Sequence, residues 1–402
     1  MAERDISKLT IAELKAYAAT LDKESRAEIE REISRLVKGI SDDSYVRSLL
    51  AGNAYMALPV SELRKLNRVV SKRLDEFYDK VYVITNTSSS EAWRAGEQLQ
   101  SKVARRKLPV KLYDALNERS VFVHRKQAME MHQLSRPAFN KSARIWKAGA
   151  SDQIDTAIQL ALANGDSADK LARDLRQYLR EPERIYKRVE IYKRNAEGDK
   201  IIGSDGKPVR AVEIRRRVLD ERTGKFRWIG EEDPYRPGRG VARSARANAM
   251  RMARNEIVKA YRASQLVQLR ANPTAIGYRI ILSNNHTHLN AKGQAIPYTA
   301  ADDEICDSGK GEYPLDWSWD GWHVNCRCII IALFVPEKII KQMAKAYAKG
   351  EDWNYDLNSY MINELPVSLI GWVGRHAEQM LGWKHLPEWV IKNEKYRLVL
   401  NI

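Results

Sequence analysis

The stretch Gly321-Trp322-His323-Val324-Asn325-Cys326-Arg327-Cys328, followed by the apolar run Ile329 to Val335, decides how the chain is read. It holds two of the three cysteines in 402 residues; the third, Cys306, lies upstream in Asp302-Asp303-Glu304-Ile305-Cys306-Asp307. Thiols at C-x-C spacing do not bridge readily, because a disulfide needs converging Cβ atoms. Thiolates and a neutral imidazole are the ligands zinc prefers, so Cys306, His323, Cys326 and Cys328 form a candidate four-ligand set. The alternative is three reduced, buried cysteines packed as small hydrophobes in a strand-rich core. The spacing matches none of the paired C-x-x-C zinc signatures, so both readings stand.

The same residues carry a family resemblance. His323-Val324-Asn325-Cys326-Arg327-Cys328 resembles the His-Pro-Asn-Cys-Arg-Cys signature of phage minor head proteins, the Mu F-like head morphogenesis family. Ala253-Arg254-Asn255-Glu256-Ile257-Val258-Lys259-Ala260 is similar to that family's helical A-R-T-E-hydrophobic segment, and Asp303 to Cys306 resembles its D-x-x-x-C element. The chain departs from the pattern twice: Val324 stands in place of proline, and Gly309 stands where a second cysteine would follow Cys306. The resemblance spans about residues 140 to 335, and the order of the motifs is more specific than any one of them. It implies a structural protein of the phage head, in contact with portal and capsid proteins and with packaged double-stranded DNA. Such a protein acts in head assembly or DNA delivery and resides in the virion after assembly in the host cytoplasm.

Bulk composition agrees with a folded chain that meets a polyanion. It is 44% hydrophobic and 30% charged, within the range of globular proteins rather than disordered ones. Lys and Arg exceed Asp and Glu by 68 to 52, a formal charge of +16, which favours a nucleic-acid partner or else serves solubility and acidic protein partners. No secretory leader opens the sequence, and no window approaches the ~20 apolar residues of a membrane span. Three cysteines argue against a disulfide scaffold and fit a reducing compartment.

Along the chain, an α+β organisation emerges in three parts. Residues 1–140 read as a mainly helical N-terminal region. Thr10-Ile11-Ala12-Glu13 forms a capping box; Leu14, Ala18 and Leu21 follow at helical spacing. A second helix is expected from Ser25 to Val37, stopped by Gly39, and a third from Pro59 through Leu74. Val81 to Ile84 reads as a short β island, Thr85 to Ser90 as polar punctuation before helix resumes near Glu91. Residues 141–335 read as the head-morphogenesis-like α+β domain. It opens with a helix from Ser151 to Leu162, an Asn164-Gly165 stop, and a helix capped near Asp166-Ser167 with Leu171, Leu175 and Leu179 on its apolar face. A β-ribbon of two or three strands is inserted at 183–230. A long helix from Ala242 to Leu269, a strand at Tyr278 to Leu282, a turn at Ser308 to Gly311 and a buried strand at Ile329 to Val335 complete it. Trp317, Trp319 and Trp322 read as a packed aromatic lid. Residues 336–402 form a helical, aromatic-rich tail holding Trp353, Trp372, Trp383 and Trp389, with a final strand at Tyr396 to Leu400. These aromatics serve either docking on a larger assembly or the chain's own core.

Charge singles out two candidate nucleic-acid surfaces. The helix from Ala242 carries Arg243, Arg246, Arg251, Arg254, Lys259 and Arg262 against the single acid Glu256. Arg243, Arg246, Arg251, Lys259 and Arg262 read as phosphate-facing, and Arg254 and Glu256 as framework ion pairs. The ribbon carries Arg215, Arg216 and Arg217, either a solvated face or a basic arm. The competing function is a metal-dependent enzyme acting on nucleic acid, a nuclease or transferase. It would use His286 and His288 with Asp302, Asp303 and Glu304, but no H-E-x-x-H, Ser-His-Asp elbow or phosphate loop supports it. A sequence-specific regulator lacks zinc-finger or zipper spacing.

Overall fold

The computed structural model describes residues 5–52, 60–114, 147, 150–151, 154, 157–158, 161–162, 166–180, 186–192, 195, 199–202, 208–220, 225–232, 245–283, 287–289, 295–297, 303–323, 326–351, 356–383 and 386–400. The expectations for the Asn164-Gly165 stop, Arg243, His286 and Trp353 lie outside them.

The fold is α+β and mostly helical. Its described helices are α1 (Ile11–Ser41), α2 (Ser44–Gly52), α3 (Val60–Lys107), α4 (Ala168–Arg180) and α5 (Ala245–Arg270), then α6 (Ile305–Ser308), α7 (Glu337–Lys349), α8 (Val367–Leu381), α9 (Glu388–Ile391) and α10 (Arg397–Leu400). The strands are β1 (Tyr186–Tyr192), β2 (Arg210–Asp220), β3 (Lys225–Glu232), β4 (Ala275–Ile281), β5 (Thr287–Leu289), β6 (Ala295–Pro297), β7 (Gly311–Tyr313) and β8 (Ile329–Phe334). Among the described residues no helix is long and apolar enough to cross a membrane.

The chain divides into two compact units that do not follow its linear order. The first is Met1–Ser25, Thr85–Leu134 and Ala253–Ile402; the second is Arg26–Ile84 and Ser135–Met252.

In the first unit the capping box forms as expected: the Thr10 amide donates to Glu13 Oε2 at 2.7 Å, and the Glu13 amide to Thr10 Oγ1 at 3.2 Å. Leu14, Tyr17 and Leu21 then pack with Ala92, Ala95 and Leu99 of α3 and with Ile257, Ala260 and Tyr261 of α5. The approach is close at Gly96, where a Cβ would collide with the Ser264 hydroxyl and the Tyr261 carbonyl. A second cluster joins Leu108, Leu112 and Tyr113 to Val335, Ile340 and Met343. The largest cluster surrounds an antiparallel sheet of order β7-β4-β8. Its register sets Tyr278 opposite Tyr313 and Ala332, and Trp317, Trp319, Trp322, Trp372 and Trp389 fill the space beside it.

In the second unit Ile29, Ile33, Leu36, Val37 and Ile40 of α1 are buried, as are Leu66, Val70 and Leu74 of α3. Ile154, Ile158, Ala161 and Leu162 are buried too, and so are Leu171, Leu175 and Leu179, as their spacing requires. Ser167 Oγ accepts from the Lys170 amide at 3.3 Å, the expected cap of α4. The ribbon is three-stranded and antiparallel, order β1-β2-β3, pairing Arg215 with Lys187 and Gly230, Arg216 with Tyr186 and Ile229, and Arg217 with Trp228.

Several local expectations give way to packing. Val81 to Ser90 is neither strand nor turn but the middle of the 48-residue α3. Val81, Ile84, Thr85, Ser88 and Ser89 are buried there. The Ser88 hydroxyl pairs with that of Ser25 at 2.7 Å, so a locally turn-prone serine gains a tertiary partner that lets it stay helical. Likewise α1 runs unbroken from Ile11 to Ser41, past both Leu21 and Gly39. Tyr396 to Leu400 is helical, not a strand. His288 sits in β5, opposite Ile296 of β6, and not in a loop. Finally β8 is not a fully buried strand: Ile330 is 5% exposed, but Ile329 and Ile331 are each 41% exposed, an alternation that marks a sheet with one solvated face.

Candidate metal centre

Two separate segments bring the scarce sulfur together. The short α6 carries Cys306, and the loop between β7 and β8 carries His323, Cys326 and Cys328. The sulfur atoms of Cys306 and Cys326 lie 3.9 Å apart, and Cys306 Sγ lies 3.1 Å from His323 Nε2. Donor atoms of Cys306, His323 and Cys326 all fall within 4.8 Å of one another. All three cysteines are free and buried. Cys328, expected as a fourth ligand, does not join the set at that spacing. Two sulfurs and an imidazole nitrogen at these separations suit a soft or borderline divalent ion in both donor chemistry and reach. The cluster can therefore hold a metal.

Arg262 of α5 holds this loop in shape. Its guanidinium, expected to face phosphate, is instead buried, with the whole residue 4% exposed. Nη1 donates to the Asp320 carbonyl at 2.7 Å, and Nη2 donates to the carbonyls of Cys326 at 2.9 Å and Cys328 at 2.8 Å. The group stacks on Trp319, 4.5 Å from the ring centroid. A planar fork of N–H donors suits three converging carbonyls in a way that a lysine does not. Gly321 makes room: it has φ +138°, and a Cβ there would meet Arg262 Nη1 at 2.6 Å. Two turns further on, Arg270 Nε donates to the Leu315 carbonyl at 2.7 Å and its Nη2 to Ser318 Oγ at 3.0 Å. From the other side, Asn393 donates to the carbonyls of Ser318 and Trp389 and accepts from the Ser318 amide.

The positive charge also shapes the thiols. S–H contacts from Cys306 and Cys328, with the Arg262 guanidinium beside them, hold the Cys326 thiol far below its ordinary range. Hydrogen bonding to Cys326 and Cys328, with burial, drives Cys306 the other way. At Cys328 a contact from Cys306 pulls the thiol down, but the neighbouring Cys326 sulfur and burial outweigh it and push it up to about 12.

Outside this shell, Asp303 takes φ +43°, the non-glycine residue with positive φ among those described. Helix α8 fixes it there. Trp372 Nε1 donates to its carbonyl at 2.8 Å, and Arg375 Nη2 and His376 Nε2 lie 2.8 and 3.4 Å from its carboxylate. Gly309, where the resemblance calls for a second cysteine, has no space for a side chain: a Cβ would collide with the Trp322 indole. The Trp317, Trp319, Trp322 and Trp389 indole N–H groups are buried without a nitrogen or oxygen acceptor. Their tilted and edge-on contacts, such as Trp322 against Trp389 at 5.4 Å and 78°, offer ring faces instead. This is the packed aromatic lid expected, and Trp372 and Trp389 of the tail join it as core.

The remaining cations of α5 are largely spoken for. Arg254 pairs with Asp22 at 2.8 Å, both mostly buried. Glu256 is half-buried, and burial raises its carboxyl above the ordinary range against the opposing pull of Lys259. Lys259 Nζ reaches Glu388 Oε2 at 2.8 Å. Arg246 pairs with Glu30, and Arg251 is half-buried. No signal in the sequence separates Arg262 and Arg270, which turn inward onto carbonyls, from cations that face solvent.

Comparison with family models, with curated proteins and with solved structures found no match. The class that fold and site define is thus an α+β chain with a Cys/His cluster on an arginine-clamped loop.

Proposed function

We propose that this chain is a structural minor head protein of a tailed phage, and that its Cys/His cluster holds a structural zinc ion. In this role it associates with portal and capsid proteins and contacts packaged double-stranded DNA without regard to sequence. One observation carries the reading. The separate motifs that resemble the head-morphogenesis family are the ones that meet in space: Cys306 stands against His323 and Cys326, and the helix bearing Ala253 to Ala260 reaches the same loop through Arg262. Zinc suits a site of thiolates and imidazole on a loop without regular secondary structure. The DNA contact is assigned to the ribbon carrying Arg215, Arg216 and Arg217, because Arg262 is buried and Arg246 and Lys259 already have carboxylate partners.

Mass spectrometry of purified particles and a pull-down with portal protein test the role. The chain should travel with particles and portal; its absence from both overturns the reading. Duplex affinity should fall linearly with log salt and be indifferent to sequence. Turnover of nucleic acid abolished by chelation would instead establish the enzyme.

A further inference from the structure

We propose that Glu304 supplies the fourth ligand of the metal centre, completing a set of Cys306, Cys326, His323 and Glu304, with Cys328 outside it. The proposal rests on the zinc reading above and deepens it. Arms of about 2.3 Å to sulfur and about 2.0–2.1 Å to nitrogen and oxygen give tetrahedral edges of about 3.8 Å for S–S, about 3.5 Å for S–N and about 3.3 Å for N–O. The observed separations are 3.9 Å between Cys306 and Cys326, 3.1 Å between Cys306 and His323 Nε2, and 3.3 Å between His323 Nε2 and Glu304 Oε1. The same imidazole nitrogen therefore faces a sulfur on one side and a carboxylate oxygen on the other, each near a tetrahedral edge.

Two side chains compete for the fourth corner, since neither Cys328 nor Glu304 belongs to the set lying mutually within 4.8 Å. Freedom to move decides between them. Cys328 has one rotor and a backbone held by Arg262 through its own carbonyl at 2.8 Å, directly ahead of β8. Glu304 has three rotors and a side chain 23% exposed, so it closes on an ion by rotation alone. Its position is also prepared. Glu304 is the N-cap residue of α6, yet its carboxylate makes no capping bond to that helix and turns to His323 instead. Immediately before it, Asp303 is locked at positive φ by Trp372 and Arg375 of α8, which fixes the direction in which Glu304 leaves the chain. A strained residue held by a neighbouring helix is costly unless position matters there.

The test is metal binding by the full-length chain, with zinc and with cobalt(II) as a spectroscopic substitute. Thiolate-to-cobalt charge-transfer absorbance counts sulfur ligands. Wild type should show two, Cys328→Ser should leave that intensity and the stoichiometry unchanged, and Glu304→Gln should weaken zinc binding by about tenfold to a hundredfold. Glu304→Cys should raise the intensity to that of three thiolates, a gain that misfolding cannot mimic. Three-thiolate absorbance in wild type that falls by a third in Cys328→Ser overturns the proposal, as does unchanged affinity in Glu304→Gln. If wild type binds neither metal, the zinc reading itself falls, and with it this assignment. The particle and portal experiments are independent of all these outcomes.

Discussion

Replacing Arg262 tests whether the site is built around a buried cation. Arg262→Met keeps much of the aliphatic stem but removes three hydrogen bonds to the carbonyls of Asp320, Cys326 and Cys328, and the stacking on Trp319. Hydrogen bonds from a charged donor contribute about 1.5–3 kcal/mol each, and a desolvated cation–π contact about 2 kcal/mol. Against these stands the cost of burying the guanidinium, several kcal/mol, which the substitution relieves. Each carbonyl left without a donor costs about 1–3 kcal/mol. The net loss should be about 3–5 kcal/mol, the usual result of removing one member of a buried charged network. Urea unfolding followed by tryptophan fluorescence reads this directly, because Trp317, Trp319, Trp322 and Trp389 lie in the affected cluster. At a slope of about 2 kcal/mol per M the midpoint should fall by about 2 M. Arg262→Lys keeps the charge but not the fork, and should lose at least half as much. A midpoint within about 0.3 M of wild type for Arg262→Met would refute the clamp.

Gly321→Ala should destabilise the same cluster by about 2–3 kcal/mol, from the positive φ and from the approach of Arg262 Nη1. In a double mutant with Arg262→Met the two losses should be less than additive, whereas strict additivity by urea unfolding would mean that the glycine serves something else. At the N-terminus, the Thr10 amide and hydroxyl hold the Glu13 carboxyl below its ordinary range. A carboxyl lowered on folding stabilises above its unfolded value, and that stabilisation is lost as pH falls through the folded value. Thr10→Ala should therefore lower the thermal midpoint at pH 7 and flatten its decline on acidification, and an unchanged pH profile would show that the pair adds nothing.

Much of this architecture is legible in residue spacing, and its failures share a cause. The capping box, the apolar face of α4, the ribbon strands and the Cys/His juxtaposition follow from local chemistry, so each emerges where expected. The misreadings occur where a distant partner overrules a local preference. Val81 to Ser90 carries β-branched residues and five serines and threonines of turn character, but Ser25 provides Ser88 with a buried hydroxyl partner and the helix continues. Glu304 is the corresponding case at the site: the sequence offers it only with Asp302 and Asp303 as a carboxylate of the competing enzyme, and its 3.3 Å approach to His323 sets it apart.

Charge shows the same limit in its sharpest form. A helix with many arginines and one acid looks like a phosphate-binding face because sequence counts charges without their directions. In α5 the direction alternates between solvent and interior. Arg254 meets Asp22, while Arg262 and Arg270 direct their donors to backbone carbonyls of the 315–328 loop. A loop without regular hydrogen bonding must find donors somewhere, and a neighbouring arginine with five N–H groups is an economical source. The inward turn of Arg262 and Arg270 is accounted for by the loop carbonyls they bond, with no phosphate involved. The net charge of a helix therefore does not by itself mark a phosphate-facing surface.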